Sequence, residues 1–159
     1  DGIRDLVLSL VGSEMCIRDR YRLLETIRQY AREKVQEAGE QEKSRTQHLE
    51  YYCRLAQQVE PKLYGARQLE GLAQLDSDQS NFRAALEWGL ENRLEAGAQL
   101  AGAMFWYWHL RSLWAEGYAW LQRALAAASG GSKPLRALLL SGAGYLAWSL
   151  RDTNRVGPS

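Results

Sequence analysis

The sequence predicts an all-α chain assembled as stacked helical hairpins, a piece of an α-solenoid, on two observations. After residue 21, apolar residues recur at three-and-four spacing in one segment after another, and no run sustains strand alternation. The second observation is an internal repeat. Residues 100–111 read LAGAMFWYWHLR and residues 140–151 read LSGAGYLAWSLR, with identity at Leu100/Leu140, Gly102/Gly142, Ala103/Ala143, Trp108/Trp148, Leu110/Leu150 and Arg111/Arg151. Phe105/Tyr145 keeps an aromatic in place. A period near 40 residues is that of stacked helical hairpins.

The elements follow in order. Leu24, Ile27, Ala31, Val35 and Ala38 share one helix face, with Thr26 near its start and Gly39 a natural C-cap. A second helix from about Glu42 turns Leu49, Tyr52, Leu55, Ala56 and Val59 inward, and Pro61 limits how far it runs. Ala66 to Leu75 forms a shorter helix with Leu69, Leu72 and Leu75 on one side. Asp76, Ser77 and Asp78 offer capping oxygens to the helix of Phe82 to Leu90, which buries Phe82, Ala85, Leu86 and Leu90. Three longer helices follow at about 95–110, 114–128 and 134–150. Ser129-Gly130-Gly131-Ser132 separates the last two, and Pro134 suits a first helical turn. Phe82-x-x-Ala85-Leu86 is echoed by Leu121-x-x-Ala124-Leu125.

Composition excludes several classes. The 159 residues are 46% hydrophobic and 25% charged, as in a globular domain and unlike a disordered chain. A net charge of +1 gives no chain-wide mark of nucleic-acid or membrane-surface binding. The longest apolar stretch, Leu100 to Trp108, is about half of the roughly 18 residues a membrane span needs. Two cysteines, Cys16 and Cys53, make neither a disulfide framework nor a metal set, so a reducing, cytoplasmic setting is expected.

Residues 1–20 stand apart. They start without Met, and Asp5 rather than a basic region precedes the apolar Leu6–Val11, so no signal peptide is read there. Leu6–Val11 and Met15–Ile17 could pair as short strands about Gly12-Ser13. DGIRDLVLSL followed by GSEMCIRDR more closely resembles peptides at the broken ends of metagenomic gene models, translated adaptor or assembly sequence. That resemblance makes 1–20 a non-native, poorly packed segment and leaves Cys16 without biological meaning.

From residue 21 a family resemblance becomes specific. YRLLETIRQYAREK (21–34) resembles the motif that closes the winged-helix domain in bacterial regulatory ATPases of the LuxR-type, NB-ARC-like signalling group. Arg45, His48, Tyr51 and Tyr52 are similar to the RxxHxxYY pattern of the next linker helix. Leu75, Asn81, Arg83-Ala84-Ala85-Leu86 and Trp88 match its LE…NLRAALEW motif, with Phe82 in place of Leu. Leu100-Ala101-Gly102-Ala103 and Gly117…Trp120-Leu121…Arg123-Ala124-Leu125 resemble its LAGAL and EGRRWLERAL segments. The resemblance implies a winged-helix closing helix over 21–40, linker helices over 41–92 and truncated tetratricopeptide-like hairpins over 93–159. Arg151-Asp152 departs from the family's Gly-Asp turn. The implied parent protein binds ATP and DNA, but no GxxxxGK[ST] loop lies here; Gly130-Gly131-Ser132-Lys133 lacks the spacing.

No catalytic, cofactor or metal constellation emerges. His48 and Cys53, five apart on a helix, point about 140° from each other. His109 has no nucleophile or carboxylate at a useful spacing, and Glu87 with Glu91 reads as a solvated pair. Arg22, Arg28, Arg32 and Lys34 are interleaved with Glu25, Glu33 and Glu37, a solvated face rather than a phosphate grip. The aromatic surplus Phe105-Trp106-Tyr107-Trp108, with Trp114, Tyr118 and Trp120, points around most of a helix and cannot all enter one core. Gly102, Trp108, Gly142 and Trp148 are expected to pack between repeats, both tryptophans buried. Trp106, Tyr107, Trp114 and Tyr118 are the candidates for a groove that takes a protein partner or small-molecule signal. Leu138, Leu139 and Leu146 are expected bare, because the next helix is missing. The function expected is a non-catalytic helical-repeat sensor or interaction region of a bacterial transcription regulator or regulatory ATPase, relaying ligand or partner binding to a missing nucleotide-binding switch; the alternative is a fragment of a winged-helix DNA-binding module.

Overall fold

A computed structural model describes residues 17–155. Residues 1–16 lie outside it, and with them Cys16 and the Leu6–Val11 segment. The described residues form α1 (Ile17–Leu63), α2 (Gln68–Ser77), α3 (Gln79–Asn92), α4 (Leu94–Leu110), α5 (Trp114–Ala127) and α6 (Lys133–Arg155), with no strand among them. The protein is all-α, as its periodicity requires. It divides into two units, residues 1–43 and 44–159.

The described part of the first unit is helix, and its side chains are largely solvated. Leu24 and Val35 are exposed rather than turned to a core, and Leu23 and Ile27 are only partly covered. Local pairs run along it: Arg28 with Glu25, Gln29 with Glu33, Lys34 with Glu37. Each such pair contributes a few tenths of a kcal/mol. Gly39 does not end the helix. A glycine costs a helix about 1 kcal/mol, and the flanking Glu, Gln and Lys residues favour helix strongly enough to carry α1 through it.

The second unit holds the core. The part of α1 within it buries Leu49, Tyr52, Leu55, Ala56 and Val59 as expected, together with Leu63. Pro61 sits in the last turn, where the helix is about to end. The Leu63 carbonyl accepts from the Gln68 side-chain amide (2.8 Å) and from Trp106 Nε1 (3.3 Å), which satisfies one orphan group of the helix terminus. On α2, Gly71, Leu72 and Leu75 are buried, whereas Leu69 in its first turn is 80% exposed and does not join them.

From α3 onward the helices cross at glycines. A Cβ on Gly97 (α4) would lie 2.6 Å from the carbonyl carbon of Gly89 and 2.6 Å from Leu90 N (α3), so the two backbones touch directly. Gly117 (α5) lies under Trp108 Cβ of α4 and Leu146 of α6, each 2.7 Å from where its Cβ would be. Gly102 (α4) faces Leu138 of α6, and Gly142 (α6) faces Leu121 and Phe105. Thus α4 and α6 each pack on α5 and also on each other, as the first helices of successive hairpins do. The α4–α5 turn closes with Ser112 at φ 55°: Ser112 N donates to His109 O and Leu113 N to Trp108 O, a Schellman cap without glycine.

The repeat register holds for the small residues and fails for the large ones. Gly102/Gly142 and Ala103/Ala143 are buried in both helices. Trp108 is 2% exposed, but Trp148 is 61% exposed, which corrects the expected burial of both. Trp108 is covered by α5; among the described residues no helix follows α6 to do the same for Trp148. Leu138 is exposed as expected, but Leu139 and Leu146 are fully buried, because their face of α6 is the one turned to α4 and α5. The bare apolar positions of α6 are Leu138, Leu140, Tyr145 and Trp148. No turn forms at Arg151-Asp152; α6 continues through it.

The two glycine environments predict opposite outcomes. Gly97→Ala drives a methyl into backbone and costs about 1–3 kcal/mol. Gly39→Ala meets nothing within 4 Å and raises helix stability by about 0.5–1 kcal/mol. Circular dichroism through urea unfolding, with separate helicity readings on the Gly39 variant, measures both.

Candidate interaction surface

Four consecutive aromatics on α4 take different paths. Trp108 enters the core over Gly117. Tyr107 enters it too: it is 1% exposed, and its hydroxyl donates to Asp76 Oδ1 at 2.9 Å. This removes Tyr107 from the groove. Burial, with the Asp76 carboxylate beside it, pushes its phenol well above the ordinary range. Asp76 also takes the Arg111 guanidinium, so it ties α2 to the end of α4 instead of capping α3. Asp78 likewise spends its Oδ1 on Tyr52 and Asn81 side chains rather than on a cap backbone N–H.

Trp106 and Phe105 remain partly exposed and build outward. Tyr64, just past the end of α1, stacks on Trp106 with centroids 5.2 Å apart and planes 16° apart. Trp106 meets His109 at 4.7 Å, His109 meets Tyr145 edge-on at 4.8 Å, and Tyr145 meets Trp148 at 6.0 Å. Phe105 supports Tyr145 from beneath at 5.8 Å. The result is one contiguous aromatic row across the end of α1, α4 and α6. Tyr64, Tyr145 and Trp148 are its open members. So large an apolar area at the surface marks an interaction site more often than chance packing. Within it His109 Nδ1 is buried without a hydrogen-bond partner, and burial holds its imidazole below the usual pKa.

Sequence reasoning placed Trp106 on this surface but missed Tyr64 and Tyr145, which join it only through the tertiary fold. Trp114 and Tyr118 do not join the row. Trp114 is partly buried against the core and donates to the His109 carbonyl at 3.2 Å, while Tyr118 is partly buried beside it.

The charged groups elsewhere serve as ties between helices. Arg83 grips Glu116 at 2.6 Å, and Arg123 grips Glu87 at 2.8 Å while lying 4.7 Å over the Trp120 ring. Glu87 is therefore paired across α3 and α5 while staying exposed to solvent, as expected of it. It lines an open groove of about 450 Å³ with Ser44, Arg45, His48, Ala84, Trp88 and Glu91. His48 stacks on Tyr52, and the Cys53 thiol, pushed up to about 11 by burial, donates to the Ala96 carbonyl. No metal-binding cluster occurs among the described residues, and none of their helices is long and apolar enough to cross a membrane.

Comparison with known proteins gives one partial likeness. The chain is 35% identical over 119 residues to proteins whose names call them HTH-type transcriptional regulators, from Mycobacterium tuberculosis H37Rv, M. tuberculosis CDC 1551 and Mycobacterium bovis. The match covers 74% of this chain and 13% of each relative's length. No family model matches, and no solved structure matches significantly.

Two predictions follow from this geometry. Trp108→Ala opens a core cavity and costs about 3–5 kcal/mol, whereas Trp148→Ala, at an exposed position, stays within about 0.5 kcal/mol; denaturant midpoints separate them. His109 has its pKa lowered in the folded state, so the unfolded chain takes up that proton first as pH falls. Its contribution is complete above about 6.5 and is lost as pH drops through the lower folded value. Unfolding at pH 7.5 and 5.5 therefore shows a larger acid loss for the unaltered protein than for His109→Gln.

Proposed function

We propose that the chain is a helical-repeat interaction region of a transcription regulator, with no catalytic residues of its own. The finer reading places it in a regulatory ATPase of the LuxR-type group, where binding on the repeats is relayed to a nucleotide-binding switch. The observation that supports a binding role is the aromatic row. The hairpins are already closed by buried Tyr107, Trp108 and Leu121, so the outward rings are not needed to fill the core. The partial likeness to transcriptional regulators supports the cellular setting. The charge pattern supports partner binding over DNA: Arg83, Arg111 and Arg123 on the helical hairpins are each neutralised by a carboxylate.

The test is DNA binding across a salt series, alongside ATP hydrolysis. The chain is expected to hydrolyse no ATP and to bind DNA only weakly, with affinity collapsing between about 50 and 200 mM salt. Sequence-specific DNA binding that persists at 200 mM salt contradicts the reading and favours a winged-helix module.

A further inference from the structure

One carboxylate at the row behaves unlike those that tie the helices together. Glu60 lies in the last turn of α1, one turn before Tyr64, and is partly buried. Among the described residues it makes no hydrogen bond or ion pair. Its one interaction is electrostatic, with the Tyr64 phenol, and burial raises its own carboxyl pKa. The nearby cation, Lys62, is already held by Glu70 at 2.9 Å and by Gln74. Leaving a partly desolvated carboxylate without a cation is costly, so the position favours any positive charge that arrives.

Next to this carboxylate stands an open aromatic face. One face of Tyr64 is stacked on Trp106, yet Tyr64 remains 59% exposed. An aromatic face beside an anionic group is the composition that binds guanidinium or ammonium, through the ring quadrupole and the ion pair together. The protein uses that composition internally: Arg123 lies over Trp120 while both its terminal nitrogens contact Glu87. Glu60 with Tyr64 presents the same two parts without the arginine.

The extent of the row indicates what carries the cation. Beyond Tyr64 it continues through Trp106 and His109 to Tyr145, with neighbouring centroids 4.7–5.2 Å apart. An extended peptide advances about 3.3 Å per residue, so several consecutive residues can lie along it. A small cation would use only its end. We infer that the surface spanning Tyr64, Trp106, His109 and Tyr145, bounded by Glu60, docks a short basic segment of a partner protein. An Arg side chain lies over the outer face of Tyr64 with its charge on Glu60, and apolar neighbours lie along Trp106 and Tyr145. This rests on reading the chain as an interaction region and adds the chemistry of the partner.

The experiment is selection of a random displayed-peptide library on the full chain, followed by calorimetric titration of enriched synthetic peptides. Enriched peptides are expected to share an Arg or Lys flanked by apolar residues. Replacing that residue by Gln weakens binding about tenfold. Glu60→Gln weakens the basic peptide by a similar factor and leaves the Gln peptide unchanged. Tyr64→Ala weakens both, with unaltered thermal melting as the check that the fold survives. Enriched peptides without a basic residue, or equal affinity in Glu60→Gln, overturn the inference while leaving an interaction region standing. No enrichment at all overturns both. Tetramethylammonium or guanidinium binding as tightly as the peptide overturns the segment in favour of a small cation. A dimer that protects Tyr64 and Tyr145 overturns it in favour of a second copy.

Discussion

Direct backbone contact through glycine is the constraint on which the second unit depends. Gly89 and Gly97 let α3 and α4 meet without side chains between them, and Gly117 admits Trp108 from one neighbour and Leu146 from another. Once helices approach that closely, little volume remains between them. Leucines and alanines such as Leu121, Ala124, Leu139 and Ala143 fill it. Trp108 has the room that Gly117 makes, the Tyr107 hydroxyl is satisfied on Asp76, and Phe82 is buried edge-on to Tyr52. The remaining rings are forced to the rim. The aromatic row is thus a geometric consequence of tight crossings, and its continuity comes from the repeat, which places Tyr145 of α6 in the position that Phe105 holds on α4.

The ion pairs act on the same frame from outside. Asp76–Arg111, Arg83–Glu116 and Glu87–Arg123 each join two different helices or their ends, and all three are bidentate. All are partly solvated, so each contributes little to stability. They neutralise Arg83, Arg111 and Arg123, whereas Glu60 at the row has no ion pair among the described residues.

Much of this was legible in the sequence where spacing alone decides. Helix positions from α2 onward, the offset-40 repeat and the burial of Phe82, Ala85 and Leu86 all follow from periodicity. What periodicity could not supply is the identity of the neighbour. Trp108 and Trp148 are the same residue at the same repeat position, but burial depends on a covering helix, which among the described residues only Trp108 has. Leu139 and Leu146 are expected bare for want of a next helix, but their face of α6 is the one turned to α4 and α5. Gly39 has the composition of a cap, yet the flanking residues carry the helix past it. Ser112 has no sequence mark of a left-handed cap at all. At the candidate site, Trp106 could be found from the aromatic surplus, whereas Tyr64 and Glu60 sit about 40 residues away in sequence and reach it only through the fold. Tyr107 was misplaced for the converse reason: its buried partner, Asp76, lies on another helix.

The account's central claim is that tight glycine crossings divide the aromatics into a buried set and an outward set. Fluorine NMR of the chain carrying 5-fluorotryptophan, with a soluble paramagnetic agent and assignment by single Trp→Phe changes, reads this residue by residue. The account predicts that the Trp148 signal broadens most strongly, that Trp106 responds to an intermediate degree, and that Trp108 and Trp88 are scarcely affected. Broadening of Trp108 to the level of Trp148, or protection of Trp148 equal to that of Trp108, would contradict it.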